Sequence, residues 1–388
     1  MKPVIGVFFG GNSVEHEVSV ISGLQALNSL NKDKYDAVAV YMTRSGEFYA
    51  GEAAARIEEY ADLPALVRKC ERVVPVPAGG RADLIFYPPR KLGKKLYATI
   101  DCVLPVVHGT NVEDGALQGF FRTLGVPFAG CDVLASAAGM DKFVMKTLFR
   151  AAGLPVLDAV RMSEAAWRAD PDAELSVAQE RLGMPVIVKP VDLGSSVGIT
   201  IARDPDSLRA ALDNAFLFSD AALVEMALTD PREINCAVLG NADEANPSEC
   251  EEPVSGGDIL SYEDKYVSGG KGGKGMSGAK RLIPAPISPE LREKIRGYAV
   301  SAFRALGCEG VARIDFLLDG DEVFVNEINT IPGSLAFYLF EPAGMKYPEL
   351  LDELIRLALA RERRRARRST SIDTGILKNY KGGTKLRK

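Results

Sequence analysis

Two pairs of polar side chains stand among apolar residues near the end of the chain, within positions 311–333. Arg313 and Asp315 are two residues apart. Glu327 and Asn329 have the same spacing, and side chains two apart on a β-strand share one face. If the two pairs meet, their carboxylate and amide oxygens suit Mg²⁺ beside a phosphate, and Arg313 could hold a developing oxyanion. The alternative is a solvated strand face that carries these charges by chance.

The connection between the two pairs decides whether they meet. Asp319-Gly320 is a turn signal, so two antiparallel strands are expected on either side of it. A two-residue turn with regular pairing would send the pairs to opposite faces of the sheet. They share a face only if the loop has an odd number of residues or the ladder has a bulge. The predicted site therefore depends on one irregularity.

Two glycine-rich stretches offer contacts for an anion. Residues 192–198 read Asp-Leu-Gly-Ser-Ser-Val-Gly between two strand patterns, and such a loop can point backbone N–H groups at phosphate. Residues 268–278 are richer in glycine and lie among lysines at 265, 271, 274 and 280. This second stretch is expected to form a mobile cationic flap over an anion or a plain flexible surface loop.

Three familiar motifs fail on their context. Residues 270–275 fit GxGxxG, but more glycine follows where a helix should begin, so a dinucleotide fingerprint is rejected. Residues 273–275 read Gly-Lys-Gly and lack the Ser or Thr of a P-loop. Residues 194–198 fit GxSxG, but a hydrolase of that type has its histidine after the serine. His16 and His108, the only histidines, both precede it.

The two histidines stand in polar turns that each follow a predicted strand. His16 belongs to the turn 12–17 and His108 to the turn 107–115. In open parallel sheets, ligands bind at the carboxyl ends of the strands. Glu15 and His108 are therefore candidates to hold a cationic or polar small molecule. The simpler explanation is helix capping, with Glu15 favourably placed near a helix N-terminus.

Alternating strands and helices favour a parallel α/β sheet in the first ~130 residues. Strands are predicted at 3–9, 35–42 and 101–107, and helices at 14–30, capped by Ser13, and 115–124. Residues 52–97 show no clear pattern. Further on, strands are predicted at 156–161, 185–189, 199–203 and 221–226, and helices at 141–152, 173–182 and after Pro205. A third unit has extended runs at 232–239 and 311–328 and helices at 289–306 and 346–363.

The composition is typical of a soluble, globular protein: 388 residues, 47% hydrophobic and 26% charged, enough for two or three domains. No apolar run is long enough to span a membrane, and the N-terminus is expected to be a first strand instead of a signal peptide. Residues 361–388 carry 11 basic against 2 acidic residues, a net +9, and the rest carries 36 against 50, a net −14. The acidic body argues against nucleic-acid binding. The basic end could contact RNA or anionic lipid, but a solvated, frayed helix end is the simpler interpretation.

Six cysteines are scattered along the chain without a CxxC or zinc-type spacing, at 70, 102, 131, 236, 250 and 308. They are expected to be reduced thiols in a cytoplasmic protein, mostly buried as small hydrophobic side chains.

Seven ordered motifs together resemble the D-alanine–D-alanine ligases of the ATP-grasp superfamily, over about residues 1–360. These are Gly10-Gly11-Asn12-Ser13-Val14-Glu15-His16-Glu17-Val18-Ser19, His108-Gly109 with Glu113-Asp114-Gly115 and Gln118-Gly119, Met140-Asp141-Lys142, Val188-Lys189-Pro190 with 194–198, Tyr262-Glu263-Asp264-Lys265-Tyr266, Arg313-Ile314-Asp315, and Asn326-Glu327-Ile328-Asn329-Thr330 with Pro332-Gly333. The resemblance implies an N-terminal parallel α/β domain that binds the first substrate (1–130). It also implies two ATP-grasp subdomains that clasp ATP, at 131–230 and, with the flap and the metal site, at 231–363. A flexible basic tail, 364–388, would follow.

The implied reaction is the ATP-dependent joining of two D-alanines for peptidoglycan precursors. ATP phosphorylates one carboxylate, and the amine of the second D-alanine attacks the acyl phosphate. Cations must screen the repulsion between a carboxylate and a triphosphate. A flap must close, because an acyl phosphate hydrolyses in water. The family pattern further suggests a cytoplasmic homodimer.

The resemblance also assigns roles to residues. ATP would be bound by Lys142, Lys189 and Lys265 at the phosphates, with Ser195 and Ser196 in the loop, by Glu225 and Leu228 at the adenine, and by Glu233 at the ribose. Two Mg²⁺, or Mn²⁺, would be held by Asp315, Glu327 and Asn329. Glu15 would bind the first ammonium and form a hydrogen-bonded set with Ser195 and Tyr266. Arg313 and the Gly333 backbone would stabilise the tetrahedral intermediate.

The sequence departs from the family at the second substrate. A serine that binds the second carboxylate is usual there, but by count this chain has Tyr338, followed by Leu339. Met226 stands where a lysine is common, the flap is longer and more basic, and the tail is extra. Ligases of this family that use D-lactate as the acceptor typically lack the tyrosine found here as Tyr266, so the resemblance makes D-lactate a less favoured acceptor. D-serine remains an alternative acceptor. A nucleotide-gated binding module without catalysis is a third hypothesis.

Overall fold

The computed structural model describes residues 2–254, 281–369 and 372–374. The described strands form three sheets of seven, four and five strands. The first sheet occupies the N-terminal third of the chain, and the other two follow in sequence order. The domain boundaries drawn from the sequence fall between these sheets and stay a prediction.

The first sheet is mixed, with the strand order β6-β5-β4-β3-β2-β1-β7. Its strands are β1 (Val4–Gly10), β2 (Asp36–Met42), β3 (Phe48–Ala50), β4 (Glu71–Pro77), β5 (Ala82–Phe86), β6 (Leu96–Ile100) and β7 (Cys102–Pro105). Only β1 pairs in parallel, with β2 and β7, and β2 to β6 form an antiparallel series. The parallel pairing expected for the strands near 3–9, 35–42 and 101–107 is therefore confirmed, and the sheet is extended by four antiparallel strands, β3 to β6, that the sequence did not predict. Antiparallel neighbours need only short turns, whereas each parallel pair needs a long crossover.

The helices of the first unit are α1 (His16–Ser29), α2 (Leu63–Lys69) and α3 (Ala116–Leu124). The sequence predicts that Ser13 caps α1, and this prediction is wrong. The residue before the helix is Glu15, which makes no side-chain cap hydrogen bond. The Ser13 hydroxyl instead accepts the Glu15 N–H at 3.0 Å and fixes the turn that presents Glu15.

The second sheet is wholly antiparallel, in the order β10-β9-β11-β8. Its strands are β8 (Ala159–Ser163), β9 (Val186–Pro190), β10 (Thr200–Ala202) and β11 (Ala221–Met226). Helices α6 (Glu164–Ala169), α7 (Pro171–Leu182) and α8 (Pro205–Ala215) pack against it. Helices α4 (Val133–Met140) and α5 (Lys142–Ala151) come before it in the chain and bury Ala135, Met145 and Phe149 in the core of the third sheet. Asp141 caps α5 by accepting the N–H groups of Phe143 and Val144, which sets Lys142 at the first turn.

The third sheet is antiparallel, in the order β14-β13-β12-β15-β16. Its strands are β12 (Arg232–Gly240), β13 (Ala245–Pro253), β14 (Arg281–Leu282), β15 (Gly310–Asp319) and β16 (Glu322–Asn329). Helix α9 (Pro289–Ala305) buries Ile295, Ala299 and Phe303 in the core beneath β12, β13 and β15. A 3₁₀ segment, Gly333–Leu339, leaves the end of β16.

The last helix, α10 (Tyr347–Ala366), packs Leu350, Leu354 and Ala358 into the core of the first sheet. It runs three residues beyond the helix end expected at 363. The exposed side chains of Arg363, Arg364, Arg367 and Arg368 agree with the interpretation of a solvated helix end, whereas Arg361 and Arg365 depart from it. Arg361 is buried and donates to the carbonyl oxygens of Phe128 and Gly130, and Arg365 pairs with Asp132. Residues 375–388 lie outside the described residues. Of the helices that the structure describes, none combines the length and the apolar character needed to cross a membrane.

Candidate active site

A bulge brings the two polar pairs of the third sheet to one face. Asp319 pairs with Glu322, so the turn between β15 and β16 has two residues, the unfavourable case. The register shifts by one beyond Phe316, and Asn326 is the extra residue. Asp315 then lies opposite Glu327, and Arg313 opposite Asn329. Directly opposed residues of an antiparallel pair project to the same side, so the irregularity that the sequence required is present.

Within this cluster, Asp315 is the common acceptor. Arg313 donates to both of its carboxylate oxygens at 2.6 Å, and the Asn329 amide donates at 3.0 Å. Burial disfavours a charged Arg313, but the Asp315 carboxylate outweighs this and holds the guanidinium pKa well above its usual range. Arg313 is therefore a permanent, oriented cation. Two carboxylates and an amide oxygen form the hard oxygen donor set that suits Mg²⁺.

Lysines approach the cluster from the second sheet. Lys142 donates to the carbonyl oxygen of Leu193 at 2.5 Å, at the start of the glycine-rich loop. Lys189 donates to Glu225 at 2.7 Å and to the Asn326 amide oxygen at 3.2 Å. Glu225 also pairs with Lys146, which no sequence motif singled out. Although burial opposes its charge, the two lysines hold the Glu225 pKa below its usual value.

Glu225, Leu228 and Glu233, the residues predicted to bind the nucleoside part of ATP, differ in their solvent exposure. The Glu225 side chain has no exposed surface, and both its oxygens face lysines. Leu228 and Glu233 are partly exposed, just after β11 and at the start of β12. Their roles at the adenine and the ribose stay predictions. Lys265 and Tyr266, with the flap, lie outside the described residues.

The loop 192–198 closes on the first domain at Glu15. Ser195 and Ser196 both have left-handed backbone angles, with φ of 53° and 60°. The Ser195 hydroxyl donates to the Glu15 carboxylate. A Cβ at Gly194 would lie 2.9 Å from Glu15 Oε2, and one at Gly109 would lie 2.7 Å from the same atom. Two glycines therefore allow both loops to reach this carboxylate, and the role of Glu15, Ser195 and Tyr266 as one hydrogen-bonded set stays a prediction.

A cleft joins these groups. Its lining includes Glu15, Gly109 and Glu113 from the first domain, Lys142 and Gly194 from the second, and Glu327 and Asn329 from the third. Thr110 adds a tie between domains, because its hydroxyl donates to the Asp192 carbonyl at 2.8 Å. The site is therefore a meeting point of all three sheets.

His108 lies behind the cleft and has protein partners at both ring nitrogens. Nδ1 is 2.8 Å from the Ile331 carbonyl oxygen, and Nε2 is 3.1 Å from the Ser22 hydroxyl. Burial lowers the pKa of His108, so the ring is neutral near pH 7. Ser22 also accepts the backbone N–H of Ser334 at 3.1 Å. His108 thus fixes the segment after β16, and direct contact with substrate stays a prediction.

Glu113 is a second buried carboxyl beside Glu15. It accepts the Gly109 N–H at 3.0 Å and the Ile331 N–H at 2.8 Å. Burial, and then the charge of Glu15, raises its pKa to about 8. Glu113 therefore carries a proton at neutral pH. Sequence reasoning quoted this residue within a motif but gave it no role.

The segment that should face the second substrate has an unusual partner. Tyr338 donates its hydroxyl proton to Glu251 at 3.0 Å, and the Arg281 guanidinium lies 4.4 Å from the centre of its ring. Glu251 is buried on β13, and Asn235 donates to it at 3.3 Å. Leu339 is fully buried, and its contact with the second substrate stays a prediction. Gly333 begins the segment, and Ser334 to Ala336 have left-handed angles.

Comparisons with known proteins agree with this arrangement. The family model described as the N-terminus of D-ala D-ala ligase matches residues 4–131, and that of its C-terminus matches residues 148–356. A D-alanine–D-alanine ligase of Thermosipho melanesiensis is 37% identical over 96% of this chain and 98% of its own length. D-alanine–D-alanine ligase A of Escherichia coli is 39% identical over 92% of this chain and 96% of its own.

Two solved structures have the same fold. The D-alanine–D-alanine ligase of Coxiella burnetii aligns with a TM-score of 0.79 and 30% identity, covering 94% of this chain and 96% of that one. The VanG D-Ala:D-Ser ligase of Enterococcus faecalis aligns with a TM-score of 0.76 and 32% identity, covering 92% and 100%. The ATP-grasp fold expected from the sequence is thereby confirmed. The chain belongs to the D-alanine–D-alanine ligase family.

Proposed function

We propose that this chain uses ATP to join two D-alanines into D-alanyl-D-alanine, releasing ADP and phosphate. The observation that carries the proposal is the cleft in which Glu15, Lys142, Glu327 and Asn329 meet. These side chains offer an anion that suits a substrate ammonium, a cation that suits phosphate and oxygen atoms that suit a metal ion. A carboxylate can be phosphorylated only where such charges are gathered.

In the first step, a carboxylate oxygen of one D-alanine attacks the γ-phosphorus of ATP, and ADP leaves. Glu15, fixed by Ser195, holds the ammonium of this D-alanine and turns its carboxylate toward the phosphates. Lys142 and Lys189 screen the repulsion between the two anions. Mg²⁺, held by Asp315, Glu327 and Asn329, would neutralise charge on the phosphate oxygens.

In the second step, the amine of the other D-alanine attacks the acyl carbon, and phosphate leaves as the peptide bond forms. The ammonium of the second D-alanine loses two protons in all, to water or to the departing phosphate, and the carbonyl oxygen becomes negative in the tetrahedral intermediate. Arg313, held by both oxygens of Asp315, is oriented to stabilise that oxyanion together with the Gly333 N–H. Burial of the site protects the acyl phosphate from water.

A D-serine acceptor is the second candidate. Tyr338 stands where the family has a serine, and its hydroxyl is bound to the buried Glu251, so the acceptor end differs chemically from the family pattern. Of the two structural relatives described above, one is a D-Ala:D-Ser ligase and the other is a D-alanine–D-alanine ligase. We keep D-alanine as the main acceptor. We also propose that the protein is cytoplasmic and that it forms a homodimer. Light scattering on the purified chain would test the homodimer.

The test is product analysis with ATP and Mg²⁺. The protein is incubated with D-alanine, with L-alanine, with D-alanine plus D-serine, and with D-alanine plus D-lactate, and the products are identified by mass. We expect D-alanyl-D-alanine from D-alanine and no product from L-alanine. If a product forms only from D-alanine with D-serine or with D-lactate, and none forms from D-alanine alone, D-alanine is not the acceptor and the second compound is. If none of these substrate combinations supports ATP turnover, the proposal is overturned.

A further inference from the structure

Lys146 is a buried cation for which neither the motifs nor the proposed mechanism has a use. It lies on α5, one turn after Lys142, and its side chain is 4% exposed. Its ammonium pairs with Glu225, whose side chain is fully buried. Removing two charges from water costs about as much as their attraction returns, and apolar side chains often serve stability equally well. Stability alone therefore does not explain this pair.

Glu225 is shared between two lysines. One oxygen meets Lys146, and the other accepts from Lys189 at 2.7 Å. Lys189 in turn donates to Asn326, the bulge residue next to Glu327. A continuous line of polar contacts thus runs from α5 through β11 and β9 to β16 of the third sheet. Lys146 stands at one end of this line of contacts, and Asn326 stands at the other.

The charges along this line are unequal. Lys146, Lys189 and Glu225 together leave one positive charge in excess. Glu327 is a further carboxylate whose charge acts on Lys146. If Lys146 were absent, Glu225 would face Lys189 alone, and attraction in a poorly solvated interior is strong. The carboxylate would then hold the Lys189 ammonium in place. With Lys146 present, the Glu225 carboxylate is shared between two ammonium groups. It then holds Lys189 less strongly, and the Lys189 ammonium can interact with a second anion.

We propose that Lys146 is a positioning residue for the nucleotide: it shares Glu225 and thereby leaves Lys189 available to the phosphate oxygens of ATP. The inference rests on the proposed function, since it assumes that Lys189 meets ATP. Lys146 itself has no contact with the nucleotide in this account. Its effect is transmitted through the Glu225 carboxylate.

The test is a double-mutant cycle with Lys146→Met and Glu225→Gln. Affinity for the ATP analogue adenylyl imidodiphosphate with Mg²⁺ is measured by calorimetry, and KM is measured for ATP and for D-alanine. We expect Lys146→Met to weaken analogue binding about tenfold or more, with KM for D-alanine within about twofold. Adding Glu225→Gln removes the carboxylate that holds Lys189, so the double variant should bind the analogue more tightly than Lys146→Met alone.

Controls separate this effect from loss of folding. Circular dichroism checks each variant, and if Lys146→Met does not fold, Lys146→Gln takes its place with the same expectation. Lys294→Met, at an exposed position of α9, is the matched control and should match the wild type. Unchanged analogue affinity in Lys146→Met, or a double variant that binds more weakly than the single one, would overturn the inference. Failure of the wild type to turn over ATP would instead count against the proposed function.

Discussion

Asp315 lies directly opposite Glu327 across the ladder of β15 and β16, although a two-residue turn joins these strands. The bulge at Asn326 is what makes them neighbours, because regular pairing from the turn would set Asp315 opposite Asn326. One inserted residue thus turns two separate polar pairs into one cluster. The same residue accepts a hydrogen bond from Lys189, so the bulge also joins the second and third sheets.

Glu327→Gln tests the metal assignment. The substitution keeps the shape of the side chain and removes the charge that would hold Mg²⁺. We expect turnover to fall by about 100-fold or more, with an unchanged circular dichroism spectrum. Glu322→Gln, an exposed position on the same strand, is the matched control. Near-normal turnover in Glu327→Gln at ordinary Mg²⁺ concentrations would remove this residue from the metal site.

Ser195→Ala tests the contact between the loop and the first domain. The Ser195 hydroxyl orients Glu15, so its loss should weaken binding of the first D-alanine. Hydrogen bonds to charged groups contribute about 1.5 to 3 kcal/mol, which corresponds to a rise in KM of roughly tenfold or more. KM for ATP should change less. Ser176→Ala, on an exposed face of α7, serves as control, and equal KM values for the two variants would refute the role.

Tyr338→Phe examines the acceptor end. The hydroxyl proton is donated to a buried carboxylate, so its removal should lower the free energy of unfolding by about 1 to 3 kcal/mol. Since that proton is engaged by Glu251, KM for the second D-alanine should stay within about twofold. Tyr298→Phe on α9 controls for loss of a tyrosine hydroxyl as such. An increase in acceptor KM without loss of stability would show that the hydroxyl turns to the substrate.

The raised pKa of the Glu113 carboxyl group predicts that the stability of the protein depends on pH. Burial raises its pKa to about 8 in the folded protein, whereas the ordinary value is 4.5. The folded state therefore binds more protons between these values, so stability falls as the pH rises through them. Between pH 7 and 9 the loss should be about 1 kcal/mol. Denaturant unfolding at both pH values measures it, and the loss should be smaller in Glu113→Gln. Equal losses in both proteins would contradict the assignment.

Strand alternation was sufficient to place Arg313 with Asp315 and Glu327 with Asn329, because a two-residue period follows from backbone geometry. It was not sufficient to decide whether the pairs meet, since a bulge leaves no fixed mark in a sequence. The strands between residues 48 and 100 were missed for a related reason. They are short, and β4 carries prolines at 75 and 77 that weaken a strand pattern.

Residues that act through others were the hardest to find. Lys146 looks like an ordinary helical lysine, and only the fold shows that it is buried against Glu225. The arginines of α10 look like a solvated basic end, yet Arg361 reaches buried carbonyl groups of residues 128 and 130. Such contacts join segments far apart in the chain, and no local pattern encodes them.

Oxygen transfer from substrate to phosphate tests the central claim most directly. D-alanine labelled with ¹⁸O in both carboxylate oxygens is incubated with ATP, Mg²⁺ and the protein, and the phosphate and dipeptide are analysed by mass. If the D-alanine carboxylate attacks ATP, one labelled oxygen appears in each phosphate released, and the peptide carbonyl keeps the other. Dipeptide accompanied by unlabelled phosphate would contradict the acyl phosphate and the cleft chemistry proposed for Glu15, Arg313 and the metal cluster.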